Sequence, residues 1–209
     1  MAAFIALLGF LVILNYQSSS LVNASITETC KTVAASSPNI NYDFCVATLR
    51  ADPGSASADT QGLAVIATKL TKANATSTES TISFLLKNSR DSATNKCLTD
   101  CATMYFDLVA TLNDTVSAIT SKRYFDAKTY LSAAVDVGDE CENGFVEKKA
   151  KSPLTKENND SRVLSLIALA ITNLLHIDIP CFSDLHGLLC FFFYLFLSSS
   201  FFSRILLLK

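Results

Sequence analysis

Histidine, glycine and proline are all scarce in this 209-residue chain, which has two, six and four of them respectively. Only Pro38 and Pro53 precede Pro153, so long helices are permitted through the middle of the chain. No glycine-rich loop is present to cradle a phosphate, and no alternation of apolar and polar residues argues for strands. Charge of one sign is also lacking: 17 basic residues stand against 19 acidic ones, which removes the general pull toward nucleic acid. The two histidines, His176 and His186, stand at or beyond the end of the central region. Cys97 and Cys101, four residues apart, would need two further ligands to hold a metal, so no metal and no cofactor is expected.

Catalytic groups are lacking too. A nucleophile, base and orienting group, or a pair of carboxylates held in a cleft, would mark an enzyme. The acidic residues instead alternate with basic ones, as in Asp126/Lys128 and Glu147/Lys148/Lys149, the pattern of solvated helix faces. Tyr105, Tyr124 and Tyr130 read as packing residues with a polar edge. The chain is not expected to be an enzyme.

What is present begins with the ends. Met1 to Leu14, MAAFIALLGFLVIL, is an apolar run too short to span a bilayer comfortably and is followed by small polar residues, the pattern of a secretory signal peptide. Val22 and Ala24 have the spacing preferred before a cleavage site, which places the cut before Ser25; Ser20 marks a second candidate. An N-terminal membrane anchor is the competing reading. Secretion makes disulfides the default state of cysteines in structured segments. It also gives meaning to the glycosylation sequons at Asn74, Asn113 and Asn159, whereas a sequon at Asn23 would be destroyed by cleavage. At the other end, Gly187 to Ser203 is uncharged and dense in phenylalanine. It reads as a membrane anchor, as a lipid-anchor signal, or as a tail outside the natural fold; terminal Arg204 and Lys209 weigh against the lipid signal. The expected organisation is a leader over 1–24, one domain over 25–176 and an apolar tail over 177–209, with a membrane contact only if that tail is a real anchor.

Within the domain, Leu98, Cys101, Tyr105, Leu108, Leu112, Thr115 and Ile119 step by three and four residues, and Ala127, Leu131, Ala134, Gly138, Cys141 and Phe145 do the same. Each set is one stripe of a helix. A third stripe starts after Asp59-Thr60 with Leu63, Ile66, Leu70 and Ala73 and resumes at Ile82, Leu85 and Leu86, across a Ser/Thr-rich stretch, 74–81, that is weak as helix. A fourth follows Ser152-Pro153, with Val163, Ile167, Ala170 and Leu174 flanked by Leu164 and Ile171. Four helices on short links form an antiparallel bundle, so the fold class is all-α.

Upstream, TCKTVAASSPNINYDFC places two short amphipathic segments around a Ser-Pro-Asn turn. Hairpins of that length do not stay ordered alone, and a Cys30–Cys45 bond would stabilise this one by about 3 kcal/mol in the chain-entropy picture. Cys101 and Cys141 fall on stripes of consecutive antiparallel helices and could be bridged. Cys97 lies on nearly the same face as Cys101 and could compete for Cys141. The sequence assigns no role to Cys97, Cys181 or Cys190.

The segments TCKTVAASSPNINYDFC, DTQGLAVIA from Asp59, CLTDCATMY from Cys97, YLSAA from Tyr130, DECENGF from Asp139 and SPLTKEN from Ser152 together resemble the plant invertase and pectin methylesterase inhibitor family, over about Ser25 to Leu175. The resemblance implies two disulfides, first cysteine with second and third with fourth. Cys101 matches as the bridging residue, leaving Cys97 free. It also implies a secreted, non-catalytic inhibitor that docks on a plant cell-wall or vacuolar carbohydrate-active enzyme: acid invertase, or alternatively pectin methylesterase. Cell-wall invertase inhibitors of the family carry a Pro-Lys-Phe tripeptide that this chain lacks. The link before the last helix, Lys151, Ser152, Pro153, Leu154 and Thr155, is the candidate contact surface; a plain polar connection is the competing reading. A membrane-tethered extracellular binding protein remains a further alternative.

Overall fold

The computed structural model describes residues 25–175. The leader, the Asn23 sequon, both histidines and the apolar tail with Cys181 and Cys190 lie outside the described residues. Within them the chain forms α1 (Ile26–Ser36), α2 (Tyr42–Arg50), a short 3-10 turn (Pro53–Ser57), α3 (Thr60–Asn88), α4 (Ser92–Thr120), α5 (Tyr124–Glu147) and α6 (Thr155–Asn173). No described helix is long and apolar enough to cross a membrane.

Short polar residues start the helices where their side chains can accept from free backbone N–H groups. Ser25 accepts from Glu28 N, Asn41 from Phe44 N, Asp59 from Gly62 N and Asp91 from Thr94 N. At Asp91 those bonds hold the carboxyl below the ordinary aspartate range. Two helices end alike: Lys122 and Lys149 adopt φ of 57° and 54°, and the following N–H groups reach back, Arg123 N to Ala118 O and Ala150 N to Phe145 O. These are left-handed helix terminations of the kind glycine usually makes.

α3 to α6 form the four-helix bundle, with α3 beside α4 and α6, and α5 beside α4 and α6. The stripes of α4 and α5 are buried along their full length as the sequence predicts. In α3 the expected weak stretch is continuous helix, and the phase differs: Leu63, Ala64, Ala67, Thr68, Thr71, Ala75, Thr78 and Ile82 are buried, while Ala73 is exposed. The threonines can face inward because Thr68, Thr71 and Thr78 each donate to the carbonyl four residues back, leaving mainly methyl groups to pack. In α6 the buried line runs through Leu164, Ile167, Ala168 and Ile171, with Val163, Ala170 and Leu174 at its half-buried edge.

The α1–α2 hairpin is closed by Cys30–Cys45, with Cα atoms 5.7 Å apart. It rests on α6 through α1 and on α3 through α2, adding Val33, Ile40, Val46 and Leu49 to the core. Cys101–Cys141 ties α4 to α5 with Cα atoms 5.2 Å apart.

Candidate functional site

The segment joining α5 to α6, residues 148–154, is held at both ends. Its start is fixed by the reversed turn at Lys149. Its end is fixed by Leu154, whose side chain is fully buried and whose backbone N–H donates to the Ser152 hydroxyl at 3.1 Å. Leu154 therefore anchors the link, while Lys151, Pro153 and Thr155 are exposed and Ser152 is half-buried between them.

A polar network stands beneath this link. Thr155 Oγ1 donates to Glu142 Oε1 at 2.8 Å, Asn158 Nδ2 donates to Glu142 Oε2 at 2.8 Å, and Tyr105 Oη donates to Asn158 Oδ1 at 2.9 Å. Three helices, α4, α5 and α6, thus meet at Asn158, which is 3% exposed. Partial burial raises the Glu142 carboxyl pKa, but the bonds from Asn158, Thr155 and Ser152 outweigh it and leave the group below the usual glutamate range. Burial pushes Tyr105 up to about 12, so its hydroxyl stays a proton donor. The apolar stripes of the sequence did not reveal this network. Its one signal was that Asn158, Ser161 and Ser165 continue the inward face of α6 toward its start, a polar extension that apolar-pattern reading ignores.

A cleft of about 440 Å³ opens between α4 and α5 beside the Cys101–Cys141 bond. Cys97 lines it with Asp100, Glu140, Asn143 and Glu147. The residue is 3% exposed and its thiol donates to Gly144 O at 3.4 Å; it is the free cysteine among the described residues. No histidine or hydroxyl side chain borders the cleft. Among the described residues no group of three or more His, Cys, Asp or Glu is placed to hold a metal ion. Tyr124, read as a packing residue, is buried and donates to Gln61 Oε1 at 3.0 Å, tying α5 to α3.

The sequons fall on helices. Asn113 and Asn159 are exposed and Asn74 is half-buried, the Asn74 amide oxygen being shut off from solvent without a hydrogen-bond partner.

Residues 24–171 match the family model described as plant invertase/pectin methylesterase inhibitor. The chain is 46% identical over 157 residues to a Platanus orientalis protein described as "Putative invertase inhibitor", covering 74% of this chain and 92% of that one. It is 34% identical to the "Cell wall / vacuolar inhibitor of fructosidase 2" of Arabidopsis thaliana, over 65% of this chain and 76% of the relative. It is 35% identical to "Pectinesterase inhibitor 12" of the same plant, over 72% of this chain and 87% of the relative. A crystal structure of a mutant pectin methylesterase inhibitor from Arabidopsis superposes with a TM-score of 0.62 at 23% identity, covering 74% of this chain and all of that one, which establishes the shared fold.

Proposed function

The chain belongs to the plant invertase/pectin methylesterase inhibitor family, a family of non-catalytic protein inhibitors, and from that premise we propose that its own target is a secreted plant acid invertase. The observation that carries this choice is the 46% identity, over nearly the full length of the relative, to a protein described as "Putative invertase inhibitor", supported by the fructosidase inhibitor at 34%. Pectin methylesterase is the second reading, favoured by the 35% identity to a pectinesterase inhibitor.

In this reading, the leader over 1–24 is removed and the domain over 25–176 works in the cell wall or the vacuole. It docks through the link between α5 and α6, with Lys151, Pro153 and Thr155 presented toward the target. Binding by a flexible link costs the free energy of ordering it. Here Leu154 is already buried and Thr155 already bonded to Glu142, so little ordering is left. The inhibitor acts at one-to-one stoichiometry with no chemistry of its own.

Titrating the purified domain into acid invertase and into pectin methylesterase, and reading residual activity, tests the proposal. Loss of invertase activity saturating at equimolar inhibitor is the expected result. Loss with pectin methylesterase alone selects the second reading, and no loss with either enzyme rejects both.

A further inference from the structure

The sequons are the sequence feature that the inhibitor reading leaves unused, and the fold sorts them sharply. Asn74 is half-buried on α3, with its amide oxygen buried. Asn113 is exposed and its oxygen accepts from Lys72 Nζ at 2.7 Å, on the pair of helices α3 and α4, away from the α5–α6 link. Asn159 is exposed and lies one turn after Thr155, about 6 Å along the helix axis. Its amide oxygen meets Arg162 at 3.3 Å, which leaves the amide nitrogen toward solvent.

We propose that Asn159 is an N-glycan attachment site and that its sugar shields the link between α5 and α6. An oligosaccharide core reaches farther than the single turn separating Asn159 from Thr155. In the transfer, the Asn159 amide nitrogen bonds to the anomeric carbon of a lipid-pyrophosphate-linked oligosaccharide. The bond from that carbon to the phosphate oxygen breaks, the lipid pyrophosphate leaves, and the amide proton passes to the base of the transferring enzyme. Ser161, the third residue of the sequon, is fully buried, so the sequon is legible only before α6 docks on the bundle. Attachment is therefore decided during synthesis, so a molecule that receives the sugar keeps a covered link and one that does not keeps a bare link. Resting on the docking reading above, a consequence is that the covered population is the weaker inhibitor.

The test uses the full chain, secreted by plant cells behind an established leader. Enzymatic release of sugars in heavy-oxygen water converts each glycosylated Asn to labelled Asp; label is expected at Asn159. Limited trypsin digestion of the native protein then reads the link directly, because Lys148, Lys149 and Lys151 lie in it. Cleavage there is expected to be several-fold slower in the glycosylated fraction than in the unglycosylated fraction, in Asn159→Gln or in Ser161→Ala, the last removing the sequon without changing the surface. Absence of sugar at Asn159, or equal cleavage rates with and without it, overturns the proposal. Neither readout involves a target enzyme, so a protein that inhibits nothing refutes the functional reading while this one is decided by its own measurements.

Discussion

A Cβ atom built on Gly138 of α5 would stand 2.3 Å from the backbone carbonyl oxygen of Asn158 on α6. The two helices touch backbone to backbone at this point, and that approach brings Asn158 within reach of Glu142 and Tyr105.

Gly138→Ala is therefore expected to destabilise the domain. Alanine gains up to about 1 kcal/mol of helix propensity, but the obstacle is main chain and cannot swing aside, and overpacking of this kind costs about 3 kcal/mol. The net loss should lower Tm by roughly 4–8 °C, read by circular dichroism. An unchanged or higher Tm would show that the helices separate freely here.

Glu142 should make stability depend on pH at the acidic end. Its folded pKa is depressed below the ordinary glutamate value of 4.5, so its contribution is present above the unfolded pKa and disappears as pH falls through the folded one. In melting curves between neutral and strongly acidic pH, Glu142→Gln should start lower in Tm and show a shallower decline. Parallel curves for the two proteins would remove Glu142 from the acid response.

Cys97 should react with alkylating reagents only after denaturation, since its thiol is buried and hydrogen-bonded. Proteolysis on the N-terminal side of Asp100 separates it from Cys101, so a non-reducing digest should show Cys101 joined to Cys141 and Cys97 labelled alone. A Cys97–Cys141 peptide, or rapid labelling of the native protein, contradicts this arrangement.

Lys122→Gly should stabilise the protein. A side chain in the left-handed region costs about 1–2 kcal/mol, against about 0.5–1 kcal/mol of extra unfolded-state freedom for glycine. A rise in Tm of a few degrees is expected, and a fall would mean that the Lys122 side chain has a compensating role.

The sequence showed α4 and α5 almost residue by residue, because every inward position there except Thr115 and Gly138 is apolar or aromatic. The middle of α3 looked broken because Thr78, Ser80 and Thr81 count as polar until their hydroxyls are seen bonded within their own helix. The link was legible as a connection from Pro153 and the charges before it. Its anchoring was not, because Glu142 meets Thr155 and Asn158 across 13 and 16 residues of chain, and no local pattern encodes such contacts.

Both disulfides are internal to a local unit. One closes the α1–α2 hairpin across 15 residues, and the other joins neighbouring helices of the bundle across 40. Neither crosses from hairpin to bundle, where the junction is made by side-chain packing and by the single strand of main chain through the 3-10 turn. Oxidation therefore hardens two bodies separately and leaves the seam between them as the place where the molecule can come apart first. Amides in the hairpin would then exchange with solvent through a detachment that leaves α3 to α6 intact, and a protease cutting between Ala51 and Asp59 would release an intact, still-bridged hairpin.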